Sequence, residues 1–142
     1  MSNEMIFWPM LAQVGLTYGI YVLVSRRRIA AIGAGEAKVR DFRIPVSEPD
    51  RSATAIRSLS NQYELPVLFF TCCLTLFVLG ASGTAAIILA WAFVLSRVAH
   101  AFVHVTSNRV RHRRPLFIAG FLVLLAMWSL VVWRLVAGAP LV

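Results

Sequence analysis

The chain reads as an all-α integral membrane protein, a four-transmembrane-helix up-down bundle. Three observations predict this. Hydrophobic residues make up 59% of the 142 residues and charged residues only 14%, whereas soluble domains carry about a quarter charged residues. The mean hydropathy is +0.76. Four apolar stretches reach the roughly 20 residues that a helix needs to cross a bilayer. At this length the whole of 1–142 is expected to form a single domain.

The first helix is expected over about 5–28, closed by the arginine run Arg26 to Arg28, with Pro9 near its first turn, where proline does least harm. The opening "MSNEMIFWPML" puts Glu4 where a signal peptide would be positive, and its apolar stretch is too long for one, so it is expected to be retained. A polar loop follows over 29–52, whose Gly, Pro and charges in "GAGEAKVRDFRIPVSEPDRS" argue against a continuous helix. The second helix is expected over 53–80, its apolar part starting at Leu65. The uncharged hairpin "GASG" leads to a third over 84–107. The fourth is expected over 115–137, with Pro115 in its first turn and Trp128 and Trp133 toward its far end. Short links between such helices favour antiparallel neighbours.

Charge sets the orientation. The chain has 14 basic and 6 acidic residues, a net charge of +8. The basic residues gather at the ends of apolar segments, which fits topology and anionic head groups and not a nucleic-acid partner. The 29–52 loop with the flanking Arg26 to Arg28, and "TSNRVRHRRP", hold 11 of the 14, while the N-terminus and "GASG" hold none. The positive-inside rule then places both basic loops in the cytoplasm and both termini on the other side. Arg134, near the outer end of the fourth helix, is long enough to snorkel to head groups. Cys72 and Cys73 sit in an apolar run and read as small apolar fillers.

Two polar stripes interrupt the apolar pattern. In "RSLSNQYELP", Arg57, Asn61 and Glu64 fall within about 60° of arc on a helix. In "RVAHAFVH", Arg97, His100 and His104 do the same. The two helices are antiparallel, so the stripes reach the same depth near the cytoplasmic side and can face each other. Ionisable groups at that depth are costly and are candidates for function. One reading is a buried staple, with Arg97 neutralising Glu64 and the histidines bonded to backbone. The other is a pocket: two arginines against one carboxylate leave an excess of positive charge that suits an anion. A metal centre is not expected, because the "HAFVH" pair stands in a chain with three histidines. His112 reads as solvated.

Together, "RSLSNQYELP" and "RVAHAFVHVTSNRVRHRRP" resemble the MAPEG superfamily, membrane-associated proteins in eicosanoid and glutathione metabolism. The likeness extends over essentially the whole chain. It is close to bacterial members similar to microsomal glutathione transferases and prostaglandin E synthases. It implies a homotrimer in a bacterial inner membrane, surrounded by lipid and binding no nucleic acid. Glutathione, or a similar thiol, would be the co-substrate at a subunit interface. Arg57, Asn61 and Glu64 match the glutathione-binding motif of the second helix, and Arg97 and His100 the start of that of the third. His104 falls where a tyrosine is common. Arg109 and Arg113 fall near the arginine that stabilises the thiolate in related synthases, so both are expected to be catalytic. One of Arg26 to Arg28 matches a first-helix arginine that meets a glutathione carboxylate, and Arg26 is taken as that residue.

The chemistry of these residues agrees with the resemblance. Arginine forks suit the two carboxylates of glutathione, Glu64 suits its ammonium, and an arginine near sulfur favours the nucleophilic thiolate. A lipophilic second substrate can arrive from the bilayer. The chain departs from relatives at Leu65 and His104, each in place of a tyrosine, and at Ser60, where prostaglandin-forming members have arginine. The implied function is therefore a glutathione-dependent transferase or peroxidase for lipophilic electrophiles, and not a prostaglandin or leukotriene synthase. Two other classes fit the sequence: a non-catalytic lipid-binding or accessory subunit, and a small proton-coupled transporter built on Glu64.

Overall fold

The computed structural model describes residues 3–43 and 48–138, so part of the expected 29–52 loop lies outside the described residues. A 3-10 turn, Asn3–Ile6, leads into α1 (Phe7–Gly33). A second 3-10 turn, Val39–Phe42, precedes α2 (Asp50–Ser60), a third turn (Asn61–Tyr63) and α3 (Leu65–Val78). The hairpin partner α4 (Thr84–Val105) and then α5 (Val110–Ala137) complete the fold. Four stretches are long and apolar enough to cross a membrane: Asn3–Gly33, Asp50–Val78, Thr84–Val105 and Val110–Ala137. The shortest, at 22 residues, extends about 33 Å, enough for a hydrocarbon core of roughly 30 Å.

Two helices outrun their expected ends. α1 continues five residues past the arginine run to Gly33. The charges at Arg26 to Arg28 do not stop the helix, because "IAAI" beyond them carries no helix breaker. α5 begins at Val110, so Pro115 lies inside it, at its sixth position. The missing N–H there frees only the carbonyl of Arg111, in an exposed turn that water can reach. Asn108, with φ 48°, turns the chain into α5.

The second span is not one helix. Pro66 lacks the N–H that would bond the carbonyl of Gln62, and its ring crowds that turn. The chain answers with the 3-10 turn Asn61–Tyr63 and an irregular Glu64 at φ −98°, ψ −103°. The expected uninterrupted helix over 53–80 is thus divided at the residues of the first polar stripe.

α3 and α4 meet at a tight turn in which Gly80 takes φ +63° and Ala81 N–H reaches the Leu76 carbonyl at 2.8 Å. Asn3 clips this turn from the N-terminal side. Its Nδ2 donates to the Phe77 carbonyl at 2.9 Å and its Oδ1 accepts from Ser82 N–H at 3.2 Å. Below it, Phe69 stacks on Phe93 with ring centroids 4.4 Å apart, among Cys72, Cys73, Leu76, Leu124 and Met127. The two cysteines are free thiols buried as packing. A second cluster, Ile20, Val24, Ala55, Leu59 and Ala101, joins α1, α2 and α4 at the arginine-rich end. Between the clusters, Gln13 Nε2 donates to Gln62 Oε1 at 2.9 Å, both side chains being buried.

α4 and α5 form the most extensive helix pairing. At Gly120 an added Cβ would lie 2.7 Å from Ser96 Oγ and 3.7 Å from its Cβ. Gly120→Ala should therefore lower thermal stability in detergent, by about 1–3 kcal/mol of overpacking. Adding Ser96→Ala should recover most of the loss, since only the hydroxyl stands in the way. Equal melting of Gly120→Ala and wild type would contradict this packing.

The loop is tied to the helices by ion pairs. Arg28 donates to both oxygens of Glu48 at 2.8 and 2.6 Å and lies over the Phe42 ring, and Ser52 Oγ donates to Glu48 at 2.7 Å. Arg51 pairs with Glu36 at 2.6 Å. The Arg28 hydrogen bonds hold the Glu48 carboxyl below its ordinary value of 4.5. A depressed carboxyl contributes stability above the unfolded value and loses it as pH falls through the folded one. Pepsin cleavage within the loop should therefore be slow at about pH 5 and accelerate steeply toward pH 3. Glu48→Gln should be cleaved fast throughout, and matching profiles for variant and wild type would refute the tie.

Candidate functional site

The break in the second span frees a backbone carbonyl, and a side chain from α4 takes it. Arg97 is fully buried, and its Nη2 donates to the Asn61 carbonyl at 3.0 Å. Its guanidinium carbon lies 5.9 Å from the centre of the Phe117 ring. Its Nε and Nη1 find no partner among the described residues. The staple reading does not hold: among the described residues no ion pair joins Arg97 and Glu64. Arg97 acts here on backbone.

Two turns along α4 from Arg97, His104 meets the Asn61 side chain, with Nδ1 at 3.2 Å from Asn61 Nδ2. His100 and His104 stand edge to face, with centroids 5.7 Å apart. Phe117 of α5 packs on His100 at 5.8 Å. Two side chains of the α4 stripe thus hold Asn61, at its main chain and at its amide.

In front of this layer opens a cavity of about 350 Å³, lined by Asn61, Glu64, His100, Val110, Arg113, Arg114 and Phe117. Arg113 is steadied by donating from Nη1 to Asn108 Oδ1 at 2.7 Å. Two guanidiniums face one carboxylate, so the walls carry a net positive charge. The cavity can bind a molecule with carboxylate groups and one ammonium, and can favour an anion near Arg113 or Arg114. Among the described residues, no three His, Cys, Asp or Glu side chains converge as a metal site would require. A wider hollow, about 530 Å³, lies by the loop among Glu36, Pro49, Asp50 and Arg51. There Arg51 and Glu36 already satisfy each other, so it offers a ligand less.

The structure brings together Asn61, Glu64, His100 and Arg113 of the residues singled out in the sequence. Arg97 and His104 lie behind them, fully or nearly fully buried. Arg57 is exposed on α2, Arg109 is exposed at the start of α5, and Arg26 is exposed on α1, none of them lining the cavity. The arginine of the first-helix run that turns inward is Arg27, which donates to Thr54 Oγ1 at 2.8 Å and to the Val105 carbonyl at 2.6 Å. It ties α1, α2 and the end of α4 together. Val110, Arg114 and Phe117 were not singled out. Their helical spacing with Arg113 was the available signal, hidden by starting the fourth helix at 115.

Arg97 has two unpartnered nitrogens and a buried charge, a combination that costs stability. Arg97→Met removes that cost but leaves the Asn61 carbonyl without its donor, so the two effects oppose each other and the melting temperature in detergent should change little. The same variant should disorder the Asn61 turn, visible as faster hydrogen exchange at residues 61–65 than in wild type. Strong destabilisation without that local change would mean that Arg97 serves the fold and not the turn.

No curated protein and no solved structure matches the chain. The MAPEG family model matches residues 6–133, which contain every cavity-lining side chain and nearly all of the four spans. The chain is an integral membrane protein with four stretches long and apolar enough to span the membrane, and it belongs to the MAPEG family.

Proposed function

We propose that the protein is a glutathione-dependent transferase or peroxidase acting on lipophilic electrophiles. The observation that carries this reading is the composition of one cavity wall: Asn61, Glu64 and His100 facing Arg113 and Arg114. Membership of a family concerned with glutathione and eicosanoids supports it. Glutathione has two carboxylates, an ammonium and a thiol, and the ammonium, one carboxylate and the sulfur have counterparts there. Glu64 takes the ammonium, and guanidinium forks take a carboxylate and the sulfur.

A free thiol has a pKa of about 8.5 and is a weak nucleophile near pH 7. A guanidinium beside the sulfur lowers that value and holds the thiolate ready. The thiolate then attacks an electrophilic carbon, a C–S bond forms, and a leaving group departs with its electron pair. With a hydroperoxide the sulfur attacks oxygen instead, the O–O bond breaks, and a second glutathione reduces the sulfenate to a disulfide. Of the two arginines expected to be catalytic, Arg113 is the better placed, because Arg109 is exposed and outside the cavity wall.

The assembly in this reading is a homotrimer in a bacterial inner membrane, with both basic loops cytoplasmic and both termini outside. Arg57 and Arg26 are exposed and do not line their own subunit's cavity. In a trimer such exposed arginines can complete a neighbour's site, which accounts for their match to the binding motifs. The exposed apolar side chains, among them Trp8, Tyr18, Ile88, Leu95 and Phe102, then meet lipid or a neighbouring subunit.

Glutathione at millimolar concentration should raise the melting temperature of the purified protein, and an activated chloroarene should be conjugated faster than in buffer. Arg113→Gln should lower turnover by about 100-fold, the scale for losing one donor to a developing charge. Arg109→Gln should stay near wild type. The opposite ranking would move the thiolate to Arg109, and no stabilisation of intact protein by glutathione would count against the reading as a whole.

A further inference from the structure

Asn61 is held twice from behind, and the second hold has a direction. A primary amide has a donating end and an accepting end, and which end faces a ligand decides what the ligand must offer. In this site Asn61 Nδ2 lies 3.2 Å from His104 Nδ1. An amide nitrogen can only donate, so His104 Nδ1 must be the bare, accepting nitrogen, and the ring proton sits on Nε2. That nitrogen is buried and has no partner among the described residues. The ring as a whole is 2% exposed and does not line the cavity, whereas Asn61 does. Within its own subunit His104 thus reaches the cavity through Asn61.

We infer that His104 is a positioning residue that fixes the amide of Asn61, committing its NH2 to α4 and leaving Oδ1 as a hydrogen-bond acceptor for the cavity. Arg97 serves the same residue at its backbone, through the 3.0 Å bond to the Asn61 carbonyl. With the Glu64 carboxylate on the same wall, Asn61 Oδ1 makes an all-acceptor patch opposite Arg113 and Arg114. Such a wall takes the N–H groups of a ligand, an ammonium above all, and turns its carboxylate or sulfur toward the arginines. Where the ligand is taken as glutathione, the inference rests on the function proposed above. The tautomer and the orientation of the amide do not.

Nitrogen-15 spectra of histidine-labelled full-length protein in bilayers test the contact without any ligand, with His104→Phe assigning the signals. His104 should show a protonated Nε2 and an unprotonated Nδ1, and the Nδ1 resonance should move in Asn61→Ala. A protonated Nδ1, or an Nδ1 unmoved by Asn61→Ala, would overturn the inference. Glutathione titration tests the consequence. Asn61→Ala and His104→Phe should each weaken binding by about tenfold, the scale of one hydrogen bond to a charged group, and the double variant no more than the worse single one. His104→Gln, which keeps an accepting oxygen, should bind more tightly than His104→Phe. Independent losses that multiply in the double variant would make His104 a separate contact and end the positioning role. Wild-type protein that binds no glutathione but shows the expected spectra would refute the proposed function and leave the His104 assignment standing.

Discussion

Pro66 has no N–H to give, and the helix of the second span cannot run through it unbroken. The remainder of the site depends on how the chain deals with that gap. The 3-10 turn at Asn61–Tyr63 lifts Asn61 and Glu64 off the regular helical path. The freed carbonyl of Asn61 would be costly at membrane depth if left bare. Arg97 supplies the donor, from a helix that approaches because Phe69 stacks on Phe93 and Gly120 lets α5 close on Ser96. Apolar packing and a polar break are thus parts of one arrangement. The core sets the distance between the elements, and the break decides what faces the space between them.

This arrangement also explains an otherwise awkward charge distribution. A fully buried guanidinium with two unpartnered nitrogens is not what a stability optimum contains. Its one hydrogen bond goes to the residue that begins the cavity wall. Arg113, held by Asn108, adds charge at the mouth, and Arg114 adds more. Positive charge therefore surrounds the site on the side of α4 and α5, while its single carboxylate comes from the broken span. A ligand with both signs of charge can be read by such a site in only one orientation.

Much of this was legible before any coordinates. Segment lengths and apolar content gave the four spans, and the spacing of Arg97, His100 and His104 correctly placed them on one buried face. The 57–64 stripe was legible only in part. A helical wheel drawn through "RSLSNQYELP" assumes a constant 100° per residue, and the phase is lost at the 3-10 turn before Pro66. Asn61 and Glu64 line the cavity, while Arg57, on the regular helix before the break, is exposed and does not. Arg114 and Phe117 were hidden for a different reason. The proline at 115 was taken as the start of a helix that begins at Val110. Nor could composition tell which of three consecutive arginines turns inward, because that depends on where Thr54 and the Val105 carbonyl end up. Layout was thus written in hydropathy, and contact in geometry that local pattern does not carry.

The central claim is that the broken second span and the α4–α5 pair enclose a receptor for glutathione. A structure of the full-length protein in a lipid nanodisc, determined at saturating glutathione, tests it most directly. The account predicts glutathione against Asn61, Glu64 and His100, its ammonium on the Glu64 side and its sulfur within reach of Arg113. Glutathione bound elsewhere, or an empty cavity at saturation with the Asn61 turn and Arg97 contact intact, would contradict it.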